Sequence, residues 1–282
     1  KGDNLVLPAD EFPSNRLPWL ALERYGVEVR EVDIRATSEP ELALLERVDK
    51  RTRLISVSAV QWTDGLRLRL ETLGQFCRHS DVLFFVDAIQ HLGALQMDVQ
   101  ACGIDFLAAD GHKWLLSPEG IAVFYCREGV RERLRINQQG WHMVDKSWNF
   151  DRTEWPVSET AVRFEAGSPN TTGQAALHAS AGLLLDYGME RVASAILQNT
   201  ERLMTELVRI DGIRLNSRTA PARRSGIVSF GHETLAPGTL YQGLRERGIS
   251  CALREGGVRV SPHFYQGEPE LTVFLDALAH IV

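Results

Sequence analysis

Short apolar runs separated by amphipathic stretches set the pattern of this chain. Val82–Val86, Phe106–Ala109 and Ile121–Tyr125 are each too short for a core helix and end in turn signals, so they predict strands buried on both faces. Leu5–Pro8 and Leu54–Val60 read the same way, and Val27–Val32 alternates as a half-buried strand does. Between them lie helical stretches. Trp19–Tyr25 is closed by Gly26 at the C′ position, and Leu70, Leu73 and Phe76/Cys77 share one face. Ser38-Glu39-Pro40-Glu41 has capping-box spacing ahead of Leu42, Leu45 and Val48. Strands alternating with helices predict βαβ units and a mainly parallel sheet in an α/β fold.

The pattern changes after Tyr125. Residues 130–159 are polar, carry Trp141, Trp148 and Trp155, and follow neither period; a loop of that length in a compact protein is usually functional or disordered. An apolar helix then ends near Asp186 with Gly188 beyond it, and a longer one places Val192, Ile196, Leu203 and Leu207 on one face. Strands at Gly226–Phe230 and Val258–Val260 and a helix over Pro269–Ile281 predict a smaller α/β domain. We expect a large domain over 1–175, with an active-site loop at 130–173, and a C-terminal small domain over 176–282.

Composition narrows the function classes. The chain has 282 residues, 44% hydrophobic and 24% charged, which is ordinary for a globular protein. A net charge of −6 argues against nucleic-acid or anionic-membrane binding. No apolar run approaches the ~20 residues of a membrane span, and the first residues do not lead into a secretory signal. The four cysteines are scattered, without Cys-x-x-Cys spacing, and read as reduced thiols of a cytoplasmic protein. The eight histidines show no metal spacing, so no metal is expected.

Two residues change the picture. Asp87 ends one buried run, and Lys113 follows another in Asp110-Gly111-His112-Lys113, so both fall at the strand ends where α/β sheets hold ligands. A lysine that forms a Schiff base must lose its proton. Lowering its pKa from ~10.4 to ~7 takes roughly 4–5 kcal/mol at ~1.36 per unit, which desolvation and neighbouring cations can supply. A carboxylate against a pyridine nitrogen keeps that ring protonated and electron-withdrawing.

The run Val86-Asp87-Ala88-Ile89-Gln90, Asp98-Val99, Gly103-Ile104-Asp105-Phe106 and Gly111-His112-Lys113-Trp114 with Pro118 and Gly120 resembles the class V aminotransferase family of pyridoxal 5′-phosphate (PLP) enzymes. That family includes cysteine desulfurases, selenocysteine lyases and isopenicillin N epimerase, and the likeness covers nearly all of the chain. It implies the fold-type I architecture, a homodimer with shared active sites, PLP as cofactor, and a small amino acid as substrate. By resemblance, Lys113 forms the Schiff base and moves the proton at Cα, and Asp87 faces the ring nitrogen. Phe12 replaces a histidine that stacks on the ring, or else packs into the core. Gln90 contacts the phenolic oxygen, and His112 contacts the phosphate or merely packs beside Lys113. Ser168 reaches the partner subunit's phosphate, with Asn170 in the same segment, and Arg259 holds the substrate α-carboxylate by its bidentate fork.

Three departures qualify the likeness. The extended loop that bears the desulfurases' nucleophilic cysteine is missing, and Cys251, within an expected strand Ile249–Leu253, reads as a core thiol; persulfide chemistry is therefore not expected. Asp110 stands where desulfurases have a phosphate-binding serine, and Trp62 where they have an asparagine near the substrate. The Gly/Thr-rich phosphate-binding turn that precedes Gly2-Asp3-Asn4 in the family is absent from these 282 residues. The expected function is a PLP-dependent enzyme acting at Cα by transamination, with C–S elimination or epimerisation as alternatives. A non-catalytic dimeric module with the same fold is the rival of another class.

Overall fold

Six strands build the larger of two sheets in the computed structural model, which describes residues 2–282. The chain runs β1 (Asn4–Pro8), α1 (Pro13–Leu20), β2 (Glu28–Val32), α2 (Pro40–Leu45), β3 (Thr52–Ser58), α3 (Leu70–Ser80), β4 (Leu83–Asp87), β5 (Phe106–Asp110) and β6 (Ala122–Cys126). In space the order is β2-β1-β3-β4-β5-β6. The first five strands pair in parallel and β6 closes the edge antiparallel to β5. The mainly parallel α/β sheet expected from the sequence is observed.

Strand alternation sends side chains to two faces. Val6, Ile55, Val57, Phe84 and Val86 pack against Leu44 of α2 and Leu73 and Cys77 of α3. Leu5, Leu7 and Leu54 face the other way, onto Trp19, Leu22 and Phe85. Ser58 lies beside Asp87 and Asp87 beside Ala108, so the exits of β3, β4 and β5 share one rim.

Past β6 the chain makes short 3-10 turns at Glu128–Arg133, Trp141–Met143 and Ala161–Phe164, then α4 (Thr171–Tyr187) and α5 (Met189–Leu207). A four-stranded antiparallel sheet follows, ordered β7-β8-β10-β9, from β7 (Ile213–Leu215), β8 (Val228–His232), α6 (Pro237–Glu246), β9 (Ala252–Arg254), β10 (Gly257–Val260) and α7 (Glu268–Ala279). Val192, Ile196, Leu203 and Leu207 of α5 are all buried, as their spacing predicts. Val192 and Ile196 join Val60, Trp114, Leu115 and Ile227 in a core that fastens the two sheets together.

Four local expectations are corrected. The helix expected at Trp19 begins at Pro13, whose fixed φ suits a first turn, and its last residues tighten into a 3-10 turn over Ala21–Tyr25 before Gly26 at φ 77°. Ser38 and Glu41 form no capping box. The helix starts one residue later, and Glu41 turns into the core to meet Arg223, which leaves Leu42 55% exposed. β3 ends at Ser58, two residues short of Val60, because Val60 bridges instead to Arg67. Cys251 precedes β9 rather than lying in a five-residue strand.

Candidate active site

Asp87 and Lys113 line one cavity of about 330 Å³, together with Phe12, Asn15, Ala108, Asp110 and His112. The two residues come from different segments, and the parallel register of β4 and β5 brings their exit loops together. The small side chains of Ala108, Ala109 and Ala122 leave the space open. Phe12 forms one wall: its ring lies 5.8 Å from Lys113 Nζ and packs edge-to-face on Trp62 with centroids 5.3 Å apart.

The electrostatics of the pair suit a reactive amine. Burial lowers the Lys113 pKa, and the positive field of Arg259 adds to it; Asp87 and Asp110 act in the opposite sense. Burial also raises the Asp87 carboxyl, against the hydrogen bond its Oδ1 accepts from the Ile89 amide at 2.9 Å and the nearby Lys113 charge. A half-buried carboxylate with one amide donor has lone pairs to spare for a cationic partner in the cavity. An acid and an amine on one cavity wall beneath an aromatic face fit a pyridine ring with a basic nitrogen at one edge and an aldehyde at the other. His112 and Lys113 are the lining side chains able to carry positive charge toward a phosphate. His112 is exposed and has Asp110 Oδ2 at 3.9 Å from its Nδ1.

Other predicted residues lie elsewhere in the chain. Gln90 is buried outside the cavity lining, its Oε1 accepting from Trp114 Nε1 at 3.1 Å, because the indole of the next loop needs an acceptor where it is packed. Asn170 caps α4: Oδ1 accepts from the Gly173 amide at 2.9 Å while Nδ2 donates to the Gly120 carbonyl at 2.9 Å. Ser168 is exposed beside it, and neither residue lines the Lys113 cavity of its own chain. Residues 130–173 likewise contribute nothing to that lining. Trp62 stands at the cavity's border, donating from Nε1 to the Asp10 carbonyl at 2.9 Å. Arg259 donates from Nη1 to the Trp62 carbonyl at 2.5 Å, and its buried Nε has no partner.

A buried polar network was not foreseen. Glu11 accepts at Oε1 from the Ser58 amide at 2.6 Å and Gln61 Nε2 at 3.1 Å, and at Oε2 from Ser58 Oγ and Asn15 Nδ2. Asn15 Oδ1 in turn accepts from Ser56 Oγ at 2.7 Å and Trp19 Nε1 at 3.2 Å. These bonds fasten the segment bearing Phe12 to the end of β3. The four-residue spacing of Glu11 and Asn15, one turn apart at a helix start, is the signal that could have found them.

Comparison with known proteins gives the site a context. The family model for aminotransferase class-V matches residues 1–268. A probable cysteine desulfurase of Methanothermobacter thermautotrophicus is 31% identical over 300 residues, taking in all of this chain and 74% of that protein. Its counterpart in Pyrococcus abyssi is 28% identical, over all of this chain and 73% of that protein. The apo structure of a cysteine desulfurase from Thermococcus onnurineus NA1 superposes with a TM-score of 0.90 at 25% identity, covering 100% of this chain and 73% of that one. The cystine C–S lyase C-DES in complex with cysteine persulfide gives a TM-score of 0.90 at 26% identity, covering 100% and 76%.

Proposed function

The chain belongs to the class-V aminotransferase family of PLP-dependent enzymes, and from that premise we propose that Lys113 is its working amine and Asp87 the counter-ion of its cofactor. The observation that carries this reading is that both side chains line one cavity. When bound, PLP supplies an electron-withdrawing ring for charge developing at the substrate Cα. The chain's own residues do the rest. Lys113, held toward its neutral form by burial and by Arg259, can attack a carbonyl and afterwards carry a proton to and from Cα. Asp87 offers its negative charge to the ring nitrogen, Phe12 covers one face, and Arg259 holds the α-carboxylate of a small amino acid.

Transamination uses this set without further groups. C–S elimination is the second reading, favoured by the similarity to a cystine C–S lyase. A persulfide on Cys251 is not part of the proposal. Burial raises that thiol, which packs against the core around Val258. β9 and β10 are joined by a two-residue turn, Glu255-Gly256, with φ 35° and 80°, leaving no extended loop beside it.

A homodimer goes with this reading. Leu183 and Leu185 of α4 and the rings of Trp148 and Phe150 are exposed apolar surface suited to a second copy. Among the described residues no helix is long and apolar enough to cross a membrane, and we assign the protein to the cytoplasm on its four unpaired thiols.

The test is direct. Purified protein with added PLP should develop a visible absorption band that Lys113→Ala loses, and an amino-acid panel should yield keto acid or sulfide in wild type only. A protein that stays colourless with PLP, or Lys113→Ala retaining the band, refutes the assignment. Sulfide release abolished by Cys251→Ser would reinstate the persulfide route.

A further inference from the structure

Glu11 is a buried acid without a cation, one residue before the Phe12 wall of the Lys113 cavity. It forms no ion pair among the described residues, and the donors that bond to it are all neutral. Charged groups on the segments that meet it are engaged elsewhere. Asp10, just before it, pairs with Arg35, and Arg16 of α1 pairs with Glu31. Asp64, in the loop after β3, accepts the Leu66 amide, and Asp87 of β4 accepts the Ile89 amide. Burial pushes the Glu11 carboxyl up to about 7, so its charge detracts from stability above neutral pH. A polar group that is fully bonded yet costs stability is expected at a functional site.

The owners of its four hydrogen bonds show what the group does. Asn15 Nδ2 comes from the start of α1, where Asn15 and Phe12 both line the cavity. The Ser58 amide and hydroxyl come from the end of β3, in register with Asp87. Gln61 Nε2 comes from the loop after β3, next to Trp62. Trp62 packs on Phe12, and its carbonyl holds Arg259. One carboxylate therefore ties together the aromatic wall, the Asp87 rim and the anchor of Arg259. Gln61 shows the strength of the pull: with Nε2 turned to Glu11, its Oε1 is buried without a partner. A protonated Glu11 removes that pull. Its O–H needs an acceptor, and a Gln61 amide turned over presents Oε1 to it.

Resting on the reading of this cavity as an amino-acid site, we propose that Glu11 is a positioning residue for the substrate: its carboxylate holds Gln61 and Trp62 where Arg259 meets them, and uptake of one proton slackens that hold. Glu11 does not itself line the cavity. It acts through Asn15 and Phe12 on one side and through Gln61 and Trp62 on the other. Amino-acid affinity then falls as pH drops through neutrality, for a reason separate from the titration of Lys113.

Spectral titration of the PLP-loaded protein with L-alanine, followed at its Lys113-dependent absorption band, tests this without relying on turnover. Wild type, Glu11→Gln and Gln61→Met are compared at about pH 6 and about pH 8, either side of the carboxyl's 7. Titration of the alanine amine and of Lys113 is common to all three proteins and cancels in their ratios. At the higher pH both variants should bind alanine roughly 10- to 100-fold more weakly than wild type, the range expected when a supporting contact is lost. At the lower pH wild type has taken up its proton, and the three affinities should converge. Urea unfolding at both pH values checks that the variants are folded, and merely structural damage would give the same deficit at each. A deficit equal at both pH values, or none at the higher one, overturns the inference while leaving the active-site reading in place. A wild-type band that alanine leaves unmoved at both pH values also overturns it. Wild type with no Lys113-dependent band overturns the active-site reading, and the inference with it.

Discussion

Glu11 offers a measurable consequence of the buried network beside the cavity. Its side chain is 3% exposed, and burial pushes its carboxyl from 4.5 up to about 7. Four hydrogen bonds from Ser58, Asn15 and Gln61 oppose that rise, but all four donors are neutral, and no cation compensates the buried charge. Between those two pH values the folded chain therefore keeps a proton that the unfolded chain has lost. Folding stability contributed by this group is complete below about pH 4.5 and declines as pH rises through 7. At ~1.36 kcal/mol per pH unit the decline amounts to about 3 kcal/mol. Glu11→Gln removes the titration and leaves a constant offset from its mismatched amide. Urea unfolding of both proteins at intervals from pH 4.5 to 8 should show the wild-type stability falling by about 3 kcal/mol relative to the variant. A difference between the two that stays flat within ~1 kcal/mol, or that grows with pH, refutes the reasoning.

Two further predictions concern the frame that holds the site. Glu41→Ala strands the Arg223 guanidinium, now bound in two hydrogen bonds at 2.5 and 2.8 Å with side chains only 4% and 7% exposed. A loss of about 3–5 kcal/mol in denaturant unfolding is expected, with the double variant costing less than the sum; a loss under ~1 kcal/mol would show the pair to be solvated. Gly74→Ala sets helix propensity, worth about 1 kcal/mol in favour, against a Cβ placed 1.8 Å from the Cys102 carbonyl oxygen. Backbone contact should win, giving a net loss of about 1–3 kcal/mol and a lower Tm; an unchanged or higher Tm refutes the close approach.

The alternating apolar runs made the parallel sheet legible, because burial on both faces demands continuous hydrophobic strands such as Phe84–Val86. Asp87 and Lys113 were legible for a related reason: Asp87 ends β4, Lys113 lies just past β5, and parallel neighbours must bring their ends to one rim. Local patterns misled where a partner distant in sequence competed for the same side chain. Glu41 has the spacing of a cap, but Arg223 lies 182 residues away and offers a charged fork that a backbone amide cannot match. Gln90 accepts the Trp114 indole N–H through Oε1, a pairing that no local pattern announces. Sequence by itself determined which segments are strands and helices and where the acid and the amine fall along them. Tertiary structure alone decided which polar groups meet, because a buried charge takes the best partner that folding brings within reach, whatever its distance along the chain.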